Sequence, residues 1–278
     1  MKMRPLSEMP AGRLRRVKGV FCDIDDTLTD DGRLTARAYR ALERLHDRGM
    51  LLVPITGRPA GWCDHIARFW PVAAVVGENG AFYFRYDRGA RRMIRRFVED
   101  AATRAEHRAR MLEVSREILA GVPGCAPAAD QFSRETDLAI DWCEDVAPLP
   151  PEAVARIVEI MRRNGLTAKV SSIHVNGWFG DYDKLGMTRI AAREQFGVDL
   201  DRDRGRYLFV GDSPNDEPMF AYFPASVGVA NVRRFAGEMR SLPAWVTRGR
   251  GGAGFAELAR AVLRAAGPPP PRAPIIRD

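Results

Sequence analysis

The sequence predicts an α/β fold, a Rossmann-like parallel-sheet core interrupted by an inserted α+β module. Three observations predict it. From 14 to 82, short apolar runs alternate with segments of helical period, the pattern of a parallel sheet flanked by helices. From 83 to 181 the alternation gives way to strand pairs separated by two helical stretches, which suggests a separate α+β module. From Lys184 the strand–helix alternation resumes. The expected organisation is an N-terminal arm over 1–13, a core over 14–82 and 182–266, the module over 83–181, and a disordered tail over 267–278, where four prolines run together.

The elements follow in order. The apolar run 17–22 reads as a buried strand and stops abruptly at Asp23-Ile24-Asp25. Thr35 is placed to cap a helix over 36–47, with Ala38, Leu42 and Leu45 on one side and Gly49 as its stop. Residues 51–56 form the second strand, 59–69 a second helix, and the fully apolar 72–76 a third strand. In the module, 82–86 and 93–98 pair around the turn Asp87-Arg88-Gly89. A helix is expected over 99–120, a strand over 137–143, a Pro-initiated helix over 151–164, and strands over 166–171 and 174–180. The core then resumes with a helix from Lys184 to Phe196, a strand over 207–210, a helix from Glu217 and a strand over 226–229.

Composition narrows the class. The chain has 278 residues and is 46% hydrophobic, enough for a sizeable core and two domains. No apolar run approaches a membrane span, and 1–16 is basic without the apolar centre of a signal peptide. The four cysteines, at 22, 63, 125 and 143, show no Cys-x-x-Cys spacing, so neither a disulfide framework nor a zinc site is expected. Cytoplasmic residence is the expectation. The net charge of +7 would suit nucleic acid, but no recognition motif accompanies it. The densest basic cluster, Arg85, Arg88, Arg91, Arg92, Arg95 and Arg96, alternates with apolar residues as a solvated strand face would. Positive potential also suits an anionic small molecule. Oligomeric state is not encoded in any pattern here.

Candidate functional residues sit where the apolar runs end. Period-two alternation points Asp23 and Asp25 to the same side, at the carboxyl end of a strand where open α/β sheets bind ligands. Like charges this close call for a cation or a proton between them, and Mg²⁺ prefers carboxylate oxygens while sharing its shell with phosphate. A Ca²⁺ loop would need Gly at Leu28 and Glu at Leu34, so that pattern fails. A solvated Asp-rich turn is the alternative. Thr56-Gly57-Arg58 lies at the end of the second strand, Glu78-Asn79 at that of the third, and Gly211-Asp212-Ser213-Pro214-Asn215-Asp216 at that of the strand at 207–210. Alone, Thr56 reads equally well as a helix cap, Lys184 as a surface lysine, and Arg58, Glu78 and Asn79 as loop structure or as substrate and cap contacts. In the module, His174, Asn176 and Trp178 alternate on one strand face. Such a face suits sugar hydroxyls and ring stacking, or is a packed sheet face with a satisfied histidine.

Taken in order, Asp23-x-Asp25-x-Thr27, the strand ending in Thr56, Lys184, and Gly211-Asp212-x-x-x-Asp216 resemble the haloacid dehalogenase (HAD) phosphatase superfamily, over roughly 14–265. The placement of the module resembles a C2 cap, and its alternation the IIB subtype (C2B) found in sugar-phosphatases of the Cof, sucrose-phosphate, trehalose-phosphate and mannosyl-phosphoglycerate kinds. The resemblance implies a Mg²⁺-dependent phosphatase acting on a phosphorylated sugar or similar small metabolite. Asp23 would be the nucleophile and Asp25 the general acid–base, with the Asp25 backbone carbonyl also on the metal. Thr56 and Gly57 would bind the phosphoryl oxygens and Lys184 would face both nucleophile and phosphate. Asp212 would ligate Mg²⁺ directly, Asp216 directly or through water, and Asn215 would bind phosphate or position Lys184. Two other readings share these motifs: a phosphomutase of the same fold, and a non-catalytic phospho-ligand sensor, against which the acid at Asp25 argues.

Overall fold

The computed structural model describes residues 3–171 and 173–267; the tail expected from 268 onward lies outside them. The chain forms two compact units, one from 1–54 with 199–278, the other from 55–198. The loop carrying Thr56 and the helix opened by Lys184 therefore share a unit with the inserted segment.

The first unit is built on a six-stranded sheet whose pairings are all parallel. Its order is Arg4–Pro5, Trp245–Val246, Ser226–Gly228, Tyr207–Gly211, Gly19–Cys22, Leu51–Pro54. Val20, Phe21 and Cys22 are buried, as a near-continuous apolar strand covered on both faces must be. Gly19 is required there, because a methyl group would run into the backbone of Leu51. The helix Ala36–Asp47 is capped by Thr35, whose hydroxyl accepts from the Ala38 N–H, and it buries Ala38, Ala41, Leu42 and Leu45. It packs against a helix the sequence reading did not specify, Gly251–Ala266, whose Phe255, Leu258, Ala259 and Val262 repeat at helical spacing. Also unanticipated is the hairpin of Thr29–Asp30 with Arg33–Leu34. Its turn, Asp31-Gly32, has both residues at positive φ, as a tight two-residue hairpin requires.

The second unit contains two antiparallel sheets. Val75–Gly77, Phe82–Asp87 and Arg92–Phe97 form one of them; Val76 also makes a single parallel bridge to Ile55. The other has the order Thr167–Val170, His174–Trp178, Asp137–Asp141, Ala126–Pro127. Opposed pairs are Asp137–Trp178, Ala139–Asn176 and Asp141–His174 on one face, Leu138–Gly177 and Ile140–Val175 on the other. The second face is apolar. Leu138, Ile140 and Val175 join Met111, Val114 and Ile118 of the helix Ala101–Gly121 and Ile157, Ile160 and Met161 of the helix Pro151–Arg163 in one core. Period two thus sends the apolar residues to the helices and leaves Asp137, Asp141, His174, Asn176 and Trp178 sharing the opposite face, where all five are buried.

Candidate active site

In the first unit the strand Gly19–Cys22 continues one residue further, where the Asp23 N–H donates to Val210 O at 2.9 Å. The chain then turns sharply. The N–H groups of Thr27, Leu28 and Thr29 all donate to Ile24 O, and Asp26 takes a left-handed φ of 56°. Because Cys22 pairs with Val210, Asp23 lies level with Gly211, and Asp212 follows at the same sheet edge. A 3-10 turn over Pro214–Asp216 brings Asp216 back, so that its Oδ2 accepts from the Asp212 N–H at 3.0 Å. Gly211 must be glycine, since a methyl group there would collide with the Asp216 carboxylate.

The outcome is a buried trio. Carboxylate oxygens of Asp23, Asp212 and Asp216 lie within 4.8 Å of one another, and all three residues are buried. Three oxygens so spaced, held by sequence-distant segments, fit a small divalent cation that takes carboxylates at about 2.1 Å. Among the described residues this group does not include the Asp25 carboxylate, which is half-buried. The Thr27 hydroxyl donates to Asp212 Oδ1 at 3.4 Å. Asn215 is engaged by the Ser213 hydroxyl, which donates to its Oδ1 at 2.9 Å. Cys22 is buried and burial pushes its thiol up, so it is no thiolate nucleophile. Sequence reasoning missed Asn231 and Arg234. Asn231 donates to Asp26 O at 2.9 Å, and Arg234 stands 3.5 Å from Asp26 and 4.0 Å from Asp212. Their position just past the strand Ser226–Gly228 was the available signal.

In the second unit, Thr56 is fully buried. Its N–H donates to Val76 O at 2.9 Å, and its hydroxyl accepts from the Arg58 N–H at 3.0 Å. The sequence Glu78-Asn79-Gly80 makes a turn with three successive positive φ values, 40°, 57° and 107°, a costly conformation for the first two residues. That turn touches both expected phosphate-binding segments. The Asn79 N–H donates to Thr56 O at 3.1 Å, and Gly80 presses so closely on the Asp183–Lys184 peptide that no side chain would fit. Lys184 opens its helix as expected, is buried, and follows an N-cap, Asp183, that accepts from the Gly186 N–H.

Five of the expected substrate or cap residues fall in one polar network with the side chains of Asp130, Arg134, Thr136, Asp137 and Glu144, which the sequence reading did not single out. Glu78 accepts from four donors, Ala60 N–H at 2.8 Å, Glu135 N–H at 2.9 Å, Thr136 N–H at 2.6 Å and the Thr136 hydroxyl at 2.5 Å. Arg134 donates to both oxygens of Asp137, to Asp130, and to Gly57 O at 3.0 Å. Asn176 and Asn79 also donate to Asp137, at 3.1 and 3.5 Å. Arg58 lies 3.6 Å from both Asp130 and Glu144. His174 Nε2 is 2.9 Å from Glu144 but off the line a hydrogen bond needs. Burial, with Asp137 second, pushes Glu78 up to about 7, and burial likewise raises Asp137 against the pull of Arg134. Burial and the Arg134 charge push His174 down to about 4, leaving it neutral at pH 7. Trp178 stacks on Tyr182 at 6.0 Å between centroids.

A sequence profile of haloacid dehalogenase-like hydrolases matches residues 20–101, the stretch that contains the Asp23 turn, Thr56 and Glu78. Over that stretch the chain is similar to this family. It is an enzyme, and its similarity to a curated phosphatase agrees with the phosphatase class. That relative, a phosphoglycolate phosphatase of Pyrobaculum neutrophilum, is 28% identical over 249 residues, which cover 88% of this chain and 96% of its own. Among solved structures, this hydrolase shares its fold with a Thermoplasma acidophilum protein at a TM-score of 0.67, with 18% identity over 88% of this chain and 98% of the other. The sucrose-phosphatase of Synechocystis, solved with sucrose and phosphate, gives 0.61 with 14% identity over 89% and 98%.

Proposed function

We propose that this hydrolase is a Mg²⁺-dependent phosphatase that cleaves a phosphorylated sugar or similar small metabolite through an aspartyl phosphate on Asp23. The observation that carries the reading is the buried Asp23–Asp212–Asp216 trio at the carboxyl ends of the adjacent strands Gly19–Cys22 and Tyr207–Gly211. Those three residues would hold Mg²⁺, with the Asp25 backbone carbonyl. The ion would neutralise phosphoryl charge and supply orientation.

The chain's own residues would do the bond chemistry. An Asp23 carboxylate oxygen attacks phosphorus as the bond to the ester oxygen breaks. Asp25, whose carboxylate stands apart from the trio, gives its proton to the departing alkoxide. It then takes a proton from water as that water attacks phosphorus, releasing inorganic phosphate and restoring Asp23. Thr56, Gly57, Lys184 and Asn215 would bind the phosphoryl oxygens and offset their charge. The segment 83–181 would act as the specificity domain, with Arg58 and Asn79 contributing from its margin and Glu78 holding 135–136 in place behind them. The sugar class is supported by the hydroxyl-matching residues on the His174–Trp178 face and by the fold shared with a sucrose-phosphatase. No helix among the described residues is long and apolar enough to cross a membrane, which is compatible with the cytoplasmic site of action we propose.

The test is phosphate release from a panel of phosphorylated metabolites with Mg²⁺ and no bisphosphate activator. Turnover should vanish in excess EDTA, and beryllium fluoride should trap on Asp23 and fail to do so in Asp23→Asn. Full activity in EDTA, or a fluoride adduct on another residue, refutes the mechanism; phosphoryl transfer without release would identify a mutase.

A further inference from the structure

We infer that Arg134, which no sequence motif marks, is a positioning residue for phosphate binding: it fixes the Thr56–Gly57 loop from within the inserted segment. The inference rests on the phosphatase reading above. Its basis is where the loop's carbonyls go. Thr56 O is held by the Asn79 N–H at 3.1 Å, and Gly57 O by Arg134 Nη1 at 3.0 Å. In a trans peptide the N–H points opposite to the preceding carbonyl. Anchoring Thr56 O on Asn79 therefore turns the Gly57 N–H away from the network, and among the described residues that N–H has no acceptor. Anchoring Gly57 O fixes the next peptide, whose N–H, that of Arg58, donates to the Thr56 hydroxyl. Both peptides flanking Gly57 are thus set by side chains or backbone from the Glu78 turn and from 134–137.

Arg134 is rigid enough for this task. Its side chain is only 1% exposed. Its Nε and Nη2 donate to Asp130 Oδ1 at 3.1 and 3.0 Å, and its Nη1 to Asp137 at 2.9 and 3.1 Å. The planar fork allows one orientation only. Asp137 is oriented in turn by Asn176 and Asn79, so the chain of contacts returns to the residue that holds Thr56. A buried ion pair contributes little net stability and can often be replaced by apolar side chains of similar volume. Its retention beside a phosphate loop is explained by geometry: a preorganised N–H costs no rearrangement when the anion arrives.

The experiment separates positioning from folding. Arg134→Met alone leaves Asp137 buried and uncompensated and should lower Tm. Arg134→Met with Asp137→Leu removes both charges and should recover most of that Tm. Inorganic phosphate, the product under the phosphatase reading, is the probe, measured with Mg²⁺ present alongside kinetics on p-nitrophenyl phosphate. The double variant should bind phosphate about tenfold more weakly and raise KM by a similar factor, since small misplacements of binding groups carry penalties of this order. Arg134→Lys, which keeps the charge but not the fork, should show the same weakening in reduced form. Phosphate affinity and KM unchanged in the double variant or in Arg134→Lys would overturn the inference while leaving the phosphatase reading intact. Wild-type protein that neither binds phosphate nor turns over any phosphoester would overturn both.

Discussion

Replacing Glu78 by alanine tests whether the buried network supports the fold and in which protonation state. Four donors converge on this carboxylate: the N–H groups of Ala60, Glu135 and Thr136 and the Thr136 hydroxyl. Stranding buried donors costs about 1–3 kcal/mol each, so the low end for four is roughly 4 kcal/mol. An opposing effect depends on pH. Burial and Asp137 push Glu78 from 4.5 up to about 7, a difference worth roughly 3 kcal/mol in full. The folded protein then holds a proton that the unfolded chain releases. The associated stability is complete below 4.5 and is lost as pH rises through 7. Glu78→Ala lacks this slope. The loss on substitution should therefore be about 3 kcal/mol at pH 5.5 and roughly 2 kcal/mol smaller at pH 8.5. Urea unfolding of both proteins at the two pH values measures it, and hydrogen exchange at the Thr136 amide should quicken in the variant. A loss under about 1 kcal/mol at pH 5.5, or one that grows with pH, refutes the reasoning.

Gly211→Ala should weaken Mg²⁺ binding and lower turnover, because a methyl group there displaces the Asp216 carboxylate; titration calorimetry with Mg²⁺ reads this directly. Asp25→Asn should slow turnover by about 10²–10⁴-fold while leaving fluoride trapping on Asp23 possible, checked by single-turnover kinetics. His174→Ala, Asn176→Ala and Trp178→Ala should each harm turnover of the metabolite found by panel screening far more than turnover of p-nitrophenyl phosphate. Equal losses on both substrates would make that strand face packing alone.

Much of the core was legible because its signals are local. Thr35 capping Ala36–Asp47 and Lys184 opening Lys184–Phe196 follow from capping residues and helical spacing. The apolar run ending at Asp23, and the Gly211–Asp216 turn, are readable from hydropathy alone. Several expected bounds shifted by a few residues: the third strand begins at Val75 rather than 72, and the module's first helix at Ala101 rather than 99. The two-residue edge strands Arg4–Pro5 and Trp245–Val246 were not legible, since two residues carry no period.

By itself, the sequence determined that carboxylates stand at the ends of apolar strands, that His174, Asn176 and Trp178 share a face, and that Gly211 follows an apolar strand into a polar loop. Periodicity is a property of consecutive residues, so it reports which way side chains point. It does not report what meets them. Only the tertiary structure decided that Asp23 joins Asp212 and Asp216, although the family motifs had anticipated it. It also decided that Glu78 spends its carboxylate on Ala60, Glu135 and Thr136, and that Arg134 reaches Gly57 across 77 residues of chain. Those contacts depend on how separate segments close upon one another, and the free energy of closure is a sum over the whole unit rather than a feature of any window in it.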